Sequence, residues 1–189
     1  MKKYLLTIST ILIASSLILG GCGKETRQTI DESNDDSHTA TAGEMHHSES
    51  GELPEGLREK SNPTFPIGSQ AMMSADHMSG MKGAKAKIVG AYETTVYAVT
   101  YTPTTGGDPV QNHKWVIHEE IQDHTDQSYA VGSEVLLSAD HMKGMKGAKA
   151  TIESAEQTTV YMVDYTPTTG GDSIKNHKWV TEEELSAIQ

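Results

Sequence analysis

The feature that most constrains this chain is an internal repeat. Residues Gly68 to Ile121 match Gly132 to Leu185 without a gap at an offset of 64, and 36 of the 54 positions are identical. Ser74-Ala75-Asp76-His77-Met78-Ser79-Gly80-Met81 returns as Ser138-Ala139-Asp140-His141-Met142-Lys143-Gly144-Met145. Tyr101 to Asp108 returns as Tyr165 to Asp172, and Asn112-His113-Lys114-Trp115-Val116 as Asn176 to Val180. So long a period fits a small domain better than one layer of a solenoid.

Within each copy the apolar period is two. Tyr161, Val163 and Tyr165 fall on one face and Asp164 on the other, the pattern of a half-buried strand. Shorter strands are expected at 134–137, 150–153 and 177–180. Thr166-Pro167-Thr168-Thr169-Gly170-Gly171 reads as a turn, and 182–185 as one helical turn. Gly80, Gly83, Gly144 and Gly147 make each Met-bearing stretch a tight loop. About five short strands per copy predict an all-β protein of two tandem SH3-like barrels. The expected domains are 65–127 and 128–189, packed together because each is near the lower size limit for independent stability.

The chain opens with Lys2-Lys3, then an apolar run from Leu5 to Leu19 that ends in Gly20-Gly21-Cys22. A bilayer-spanning helix needs about 20 apolar residues, so this run suits a secretory signal better than a transmembrane anchor. Small residues before the single cysteine form a lipobox. Residues 1–21 are therefore expected to be removed and Cys22 acylated, leaving the protein anchored to the extracytoplasmic face of the cell membrane. The mature chain would then have no disulfide and no thiolate.

Without Lys2 and Lys3 the 15 basic residues fall to 13 against 26 acidic ones. Such a surface repels phosphate backbones, so nucleic acid is a poor partner, while cations are drawn to it. Residues 22–64 are polar and acidic and read as a disordered tether that carries Met45, His46 and His47.

Methionine and histidine mark the candidate chemistry. His77, Met78 and Met81, with His141, Met142 and Met145, place thioethers beside imidazoles on glycine-rich loops. Thioether suits Cu(I), and imidazole suits copper in either oxidation state. His113 and His177 recur as well; each faces the Met loop of its own copy or that of the other. The bland alternative is that the methionines plug a barrel end and an Asp-His pair caps the turn. Trp115 and Trp179 read as core anchors. His118 becomes Glu182 in the second copy, which argues against a shared ligand role. No nucleophile elbow, zinc-protease helix or phosphate loop is present, so an enzyme is not expected.

Taken together, His-Met-x-Gly-Met-Lys-Gly-Ala, Val-Tyr-x-Val-x-Tyr-Thr-Pro-Thr-x-Gly-Gly and Asn-His-Lys-Trp-Val resemble the YdhK family of Gram-positive surface lipoproteins over residues 68–185. The plan is also similar to the copper-resistance lipoprotein CopL. The resemblance implies copper binding at the cell surface and protection against copper excess. Sequestration outside the membrane would lower the copper available for import, or present it to a copper exporter or oxidase. The competing expectation is a metal-free module that binds cell wall or another protein.

Overall fold

The computed structural model describes residues 48–188. Its strands are β1 (Arg58–Glu59), β2 (Gln70–Met73), β3 (Lys85–Tyr101), β4 (Val110–Ile117), β5 (Glu134–Leu136), β6 (Lys149–Tyr165), β7 (Ile174–Thr181) and β8 (Leu185–Ala187). Two short 3-10 turns, η1 (His118–Glu120) and η2 (Glu182–Glu184), follow β4 and β7. Among the described residues there is no α-helix, in keeping with the two-residue period. The expected signal segment, Cys22, Met45, His46 and His47 lie outside the described residues.

Two separate closed barrels do not form. All eight strands join one open antiparallel sheet, along the path β5-β6-β3-β2-β8, with β1 and β4 pairing β3 and β7 pairing β6. The spine is the pairing of the two 17-residue strands β3 and β6, from Ala86↔Tyr165 to Tyr101↔Ala150. Thr94 sits opposite Thr158, its own repeat equivalent, so the register has a pseudo-twofold centre there. The register shifts obey the same symmetry. One leaves Val89 as the extra residue and the other leaves Glu153, again 64 positions apart.

The segments expected as separate strands at 150–153 and 160–165 are thus halves of one strand. The polar stretch Ala155 to Thr158 joins them because β3 supplies its hydrogen-bonding partners from Thr94 to Tyr97. Where the repeats have drifted, they have drifted together. Gly90 lies under the Tyr92 ring, where an added Cβ would stand 2.5 Å from the Tyr92 hydroxyl. Their counterparts are Ser154 and Glu156, both less buried, and no ring crowds the backbone there.

The pairing exchanges halves between the repeats. One core holds Met73, Met81, Ala86 and Ile88 of the first copy with Tyr161, Val163, Tyr165 and Val180 of the second. Another holds Tyr97, Val99, Tyr101 and Val116 of the first with Val135, Leu137, Met145 and Ile152 of the second. Between them Tyr92, Val96, Trp115, Ile117, Val160, Met162 and Trp179 form a central cluster. Neither copy owns a core, so the two fold as one body. Packed structure also begins earlier than the expected end of the tether. Leu57 lies against the central cluster, β1 pairs with Tyr92 and Glu93, and Lys60 N donates to Ala91 O.

Candidate metal centre

Each His-Met loop is tied off by backbone bonds at the start of its copy. In the first, Met73 N donates to Ala84 O and Gly83 N to Met73 O; in the second, Leu137 N donates to Ala148 O and Gly147 N to Leu137 O. Gly80 and Gly144, with φ of 79° and 81°, turn the loop through the left-handed region that glycine tolerates. The opposite repeat clasps the tip, as Thr168 N donates to Gly80 O and Thr104 N to Gly144 O. There is no room for a Cβ at either glycine. It would fall 2.7 Å from Pro167 Cβ at Gly80 and 2.6 Å from Thr105 Oγ1 at Gly144.

This clasp decides which histidines meet. His77 pairs with His177, ring centres 5.9 Å apart, and His141 pairs with His113 at 6.2 Å. Each pair therefore takes one imidazole from each repeat. A tyrosine stands edge-on to the strand histidine in both, Tyr165 at 5.6 Å from His177 and Tyr101 at 5.9 Å from His113. The Tyr165 hydroxyl is buried without a hydrogen bond, and burial pushes its pKa up to about 12.

A carboxylate backs each loop histidine. Glu120 Oε1 lies 2.6 Å from His141 Nε2, while Glu184 Oε1 lies 3.7 Å from His77 Nε2. The other oxygen of each is held fast. Glu120 Oε2 accepts from Ile117 N and from Trp179 Nε1. Glu184 Oε2 accepts from Thr181 N, Thr181 Oγ1 and Trp115 Nε1. Burial alone would raise the Glu120 pKa. The His141 imidazole, with the hydrogen bonds from His141, Trp179 and Ile117, outweighs it and holds the carboxyl below its usual range. His118 and Glu182 lie apart from these pairs. They fill equivalent roles as partners of the Tyr97 and Tyr161 hydroxyls.

Burial pushes the His77 pKa below the 6.5 of an ordinary imidazole, and Lys114 adds to this against Glu184 and Asp76. The folded chain therefore resists the proton that the unfolded chain accepts. Stability tied to neutral His77 is complete above about pH 6.5 and declines as pH falls below it. We expect the His77 C2 proton to titrate with a midpoint under 6.5. A His77→Gln variant should flatten the loss of stability between about pH 6.5 and 5. A midpoint above 6.5 would contradict the burial argument.

The sulfurs divide. Met81 and Met145, expected beside the imidazoles, are fully buried in the two cores. Met78 and Met142 are half-buried and directly follow His77 and His141. Among the described residues no three His, Cys, Asp or Glu side chains converge as a metal cage. A metal held here would need a donor of another kind beside each imidazole pair. Glu120, Glu184, Tyr101 and Tyr165 were not among the residues expected from sequence. Their one signal there is that each keeps its identity in both repeats.

The family model for a protein of unknown function, DUF1541, matches residues 67–118 and 131–182. The chain is 53% identical over 188 residues to the uncharacterized protein YdhK of Bacillus subtilis (strain 168), covering 98% of this chain and 90% of that protein. A crystal structure of YdhK, a DUF1541 family protein from the same bacterium, is 61% identical. It aligns with a TM-score of 0.74 over 77% of this chain and 99% of that one. The solution structure of the YdhK C-terminal domain is 62% identical, with a TM-score of 0.62 over 65% of this chain and 93% of that one.

Proposed function

The chain belongs to the DUF1541 family, the family of YdhK, and on that footing we propose that it binds copper, chiefly Cu(I), at two centres on the outer face of the membrane. The observation that carries this reading is the spacing of the imidazole pairs. A ligating imidazole nitrogen sits about 2 Å from its metal, which puts the ring centre roughly 3.1 Å away, so two rings sharing one ion stand about 5 Å apart in a tetrahedral site and about 6.2 Å in a linear one. The pairs at 5.9 and 6.2 Å fall within that range. Met78 and Met142, half-buried and next in the chain to His77 and His141, would supply soft sulfur, which selects Cu(I) over harder ions. Glu120 and Glu184 would orient His141 and His77, as carboxylates behind ligating histidines commonly do. Low proton affinity at His77 leaves that ring available at neutral pH.

The remaining pieces fit a sequestering protein. The lipobox at Cys22 would anchor it, and Met45, His46 and His47 would sample Cu(II) from the tether. Binding outside the membrane would lower the copper reaching the cell or pass it to an exporter or oxidase. No specific observation favours a stacking surface for wall polymers. Among the described residues the exposed large apolar side chains are Leu53, Ile67, Val131 and Leu136, none aromatic, whereas Trp115 and Trp179 are buried.

Titration with Cu(I) against a competing chelator tests this reading. Met78→Leu with Met142→Leu should weaken binding about tenfold or more per centre, equivalent to about 1.4 kcal/mol. Met81→Leu with Met145→Leu should leave it within about threefold, because leucine replaces a buried methionine at nearly constant volume. Wild-type binding no tighter than that of a variant lacking His77, His113, His141 and His177 would refute it.

A further inference from the structure

Each of the strands β4 and β7 serves both histidine pairs. β4 carries His113 for one pair; two residues on, Trp115 Nε1 donates to Glu184 Oε2, behind His77 of the other, at 2.9 Å. β7 carries His177 beside His77, and Trp179 Nε1 donates to Glu120 Oε2, behind His141, at 3.0 Å. His77 also bonds the backbone of Lys114, which lies between His113 and Trp115.

Both strands leave the ladder at these places. Val99 pairs with His113 and Tyr97 with Val116, so Lys114 and Trp115 stand against the single residue Ala98. Lys178 and Trp179 stand likewise against Met162, between Val163↔His177 and Tyr161↔Val180. A bulge of this kind frees its extra residue from sheet pairing. Each indole is therefore placed by the carboxylate it bonds and by the central cluster, which holds both of them. Tyr92 stands edge-on to Trp179 in that cluster, ring centres 5.7 Å apart.

We infer that Trp115 and Trp179 are positioning residues that couple the two centres, so that an ion in one raises the affinity of the other. The inference rests on the copper reading above. An ion shared by His113 and His141 fixes His113 and with it the bulged stretch that follows. Trp115 then holds Glu184 in place behind His77 before any ion arrives there. An ion shared by His77 and His177 does the same for Glu120 through Trp179. The second ion meets a centre already ordered and loses less conformational freedom on binding. Such coupling is reciprocal, so either centre can load first.

Stepwise titration with Cu(I) against a competing chelator tests this on the mature chain, with Met45→Leu, His46→Ala and His47→Ala so that the tether takes no ion. The second ion should bind at least about fivefold more tightly than two equal, independent centres allow. Trp115→Phe and Trp179→Phe should each reduce that factor, and the two together should abolish it. Lost packing alone weakens both steps alike and leaves their ratio unchanged. A second measurement keeps both indoles. His77→Ala with His177→Ala leaves only the His113–His141 centre. Loading it with Ag(I), a closed-shell mimic of Cu(I), should slow hydrogen exchange at Trp115 Nε1 by about threefold or more. Independent steps with both indoles present overturn the coupling and leave the copper reading standing. Unchanged exchange at Trp115 overturns its positioning role. No binding of either ion refutes the copper reading and this inference with it.

Discussion

Glu120→Ala is expected to lower the free energy of unfolding by about 3 to 5 kcal/mol, the usual cost of removing one partner from a buried charged network. The carboxylate holds the Ile117 amide, the Trp179 indole and the His141 imidazole. Alanine would leave these three donors facing a space that water reaches poorly, with Trp179 fully buried. Glu120 comes from the first repeat while Trp179 and His141 come from the second, so the loss falls on the junction that makes the repeats one body. Glu184→Ala removes a similar set of bonds at a more exposed place, where water can replace part of them, and should cost about 1 to 2 kcal/mol. Guanidinium unfolding of both variants checks this; equal losses would mean that burial does not distinguish the two ends. Acid adds a second reading. With its folded pKa held below 4.5, Glu120 contributes stability that is complete above about pH 4.5 and is lost as pH falls through the folded value. Glu120→Gln should lose part of this acid dependence.

Much of the fold can be read from the chain because local chemistry dictates it. The alternation Tyr161, Val163, Tyr165 places all three in one core, and the glycines at 80, 83, 144 and 147 bend the Met loops as expected. The exchange of halves is not legible, and the repeat itself is the reason. When two segments share nearly the same pattern, a strand satisfies its period by pairing within its own copy or with the other. Only three-dimensional closure chooses. The polar run Ala155 to Gln157 reads as a break, since its strand character comes from β3 and not from its own burial.

The candidate site was legible in its residue types and obscure in its grouping. Nothing local says that His177 answers His77, or that Glu120 and Glu184 turn their carboxylates inward. The methionines mislead for a related reason. Glycine neighbours signal a bent loop, and a bend can tuck a side chain in as readily as present it. Hence Met81 and Met145 ended in the cores while Met78 and Met142 stayed half-buried.

Crossed pairing gives the copper reading its sharpest consequence. Removing two histidines should give opposite stoichiometries depending on which two are chosen. His77→Ala with His177→Ala deletes one pair, although the residues come from different repeats, and leaves the His113–His141 centre whole. Cu(I) binding should fall from two ions per chain to one. His77→Ala with His113→Ala strips a single repeat and leaves one imidazole in each centre. Each centre then keeps half its nitrogen donors, and tight binding should disappear from both. A lost ligand of this kind should weaken each centre by about a hundredfold, roughly 2.7 kcal/mol. A within-repeat site would give the reverse order, with one ion retained after His77→Ala/His113→Ala and tight binding lost from both centres after His77→Ala/His177→Ala. Competition titration of the two double variants at neutral pH decides between them, with circular dichroism of each as the folding control, because His177 is fully buried and His113 only half-buried.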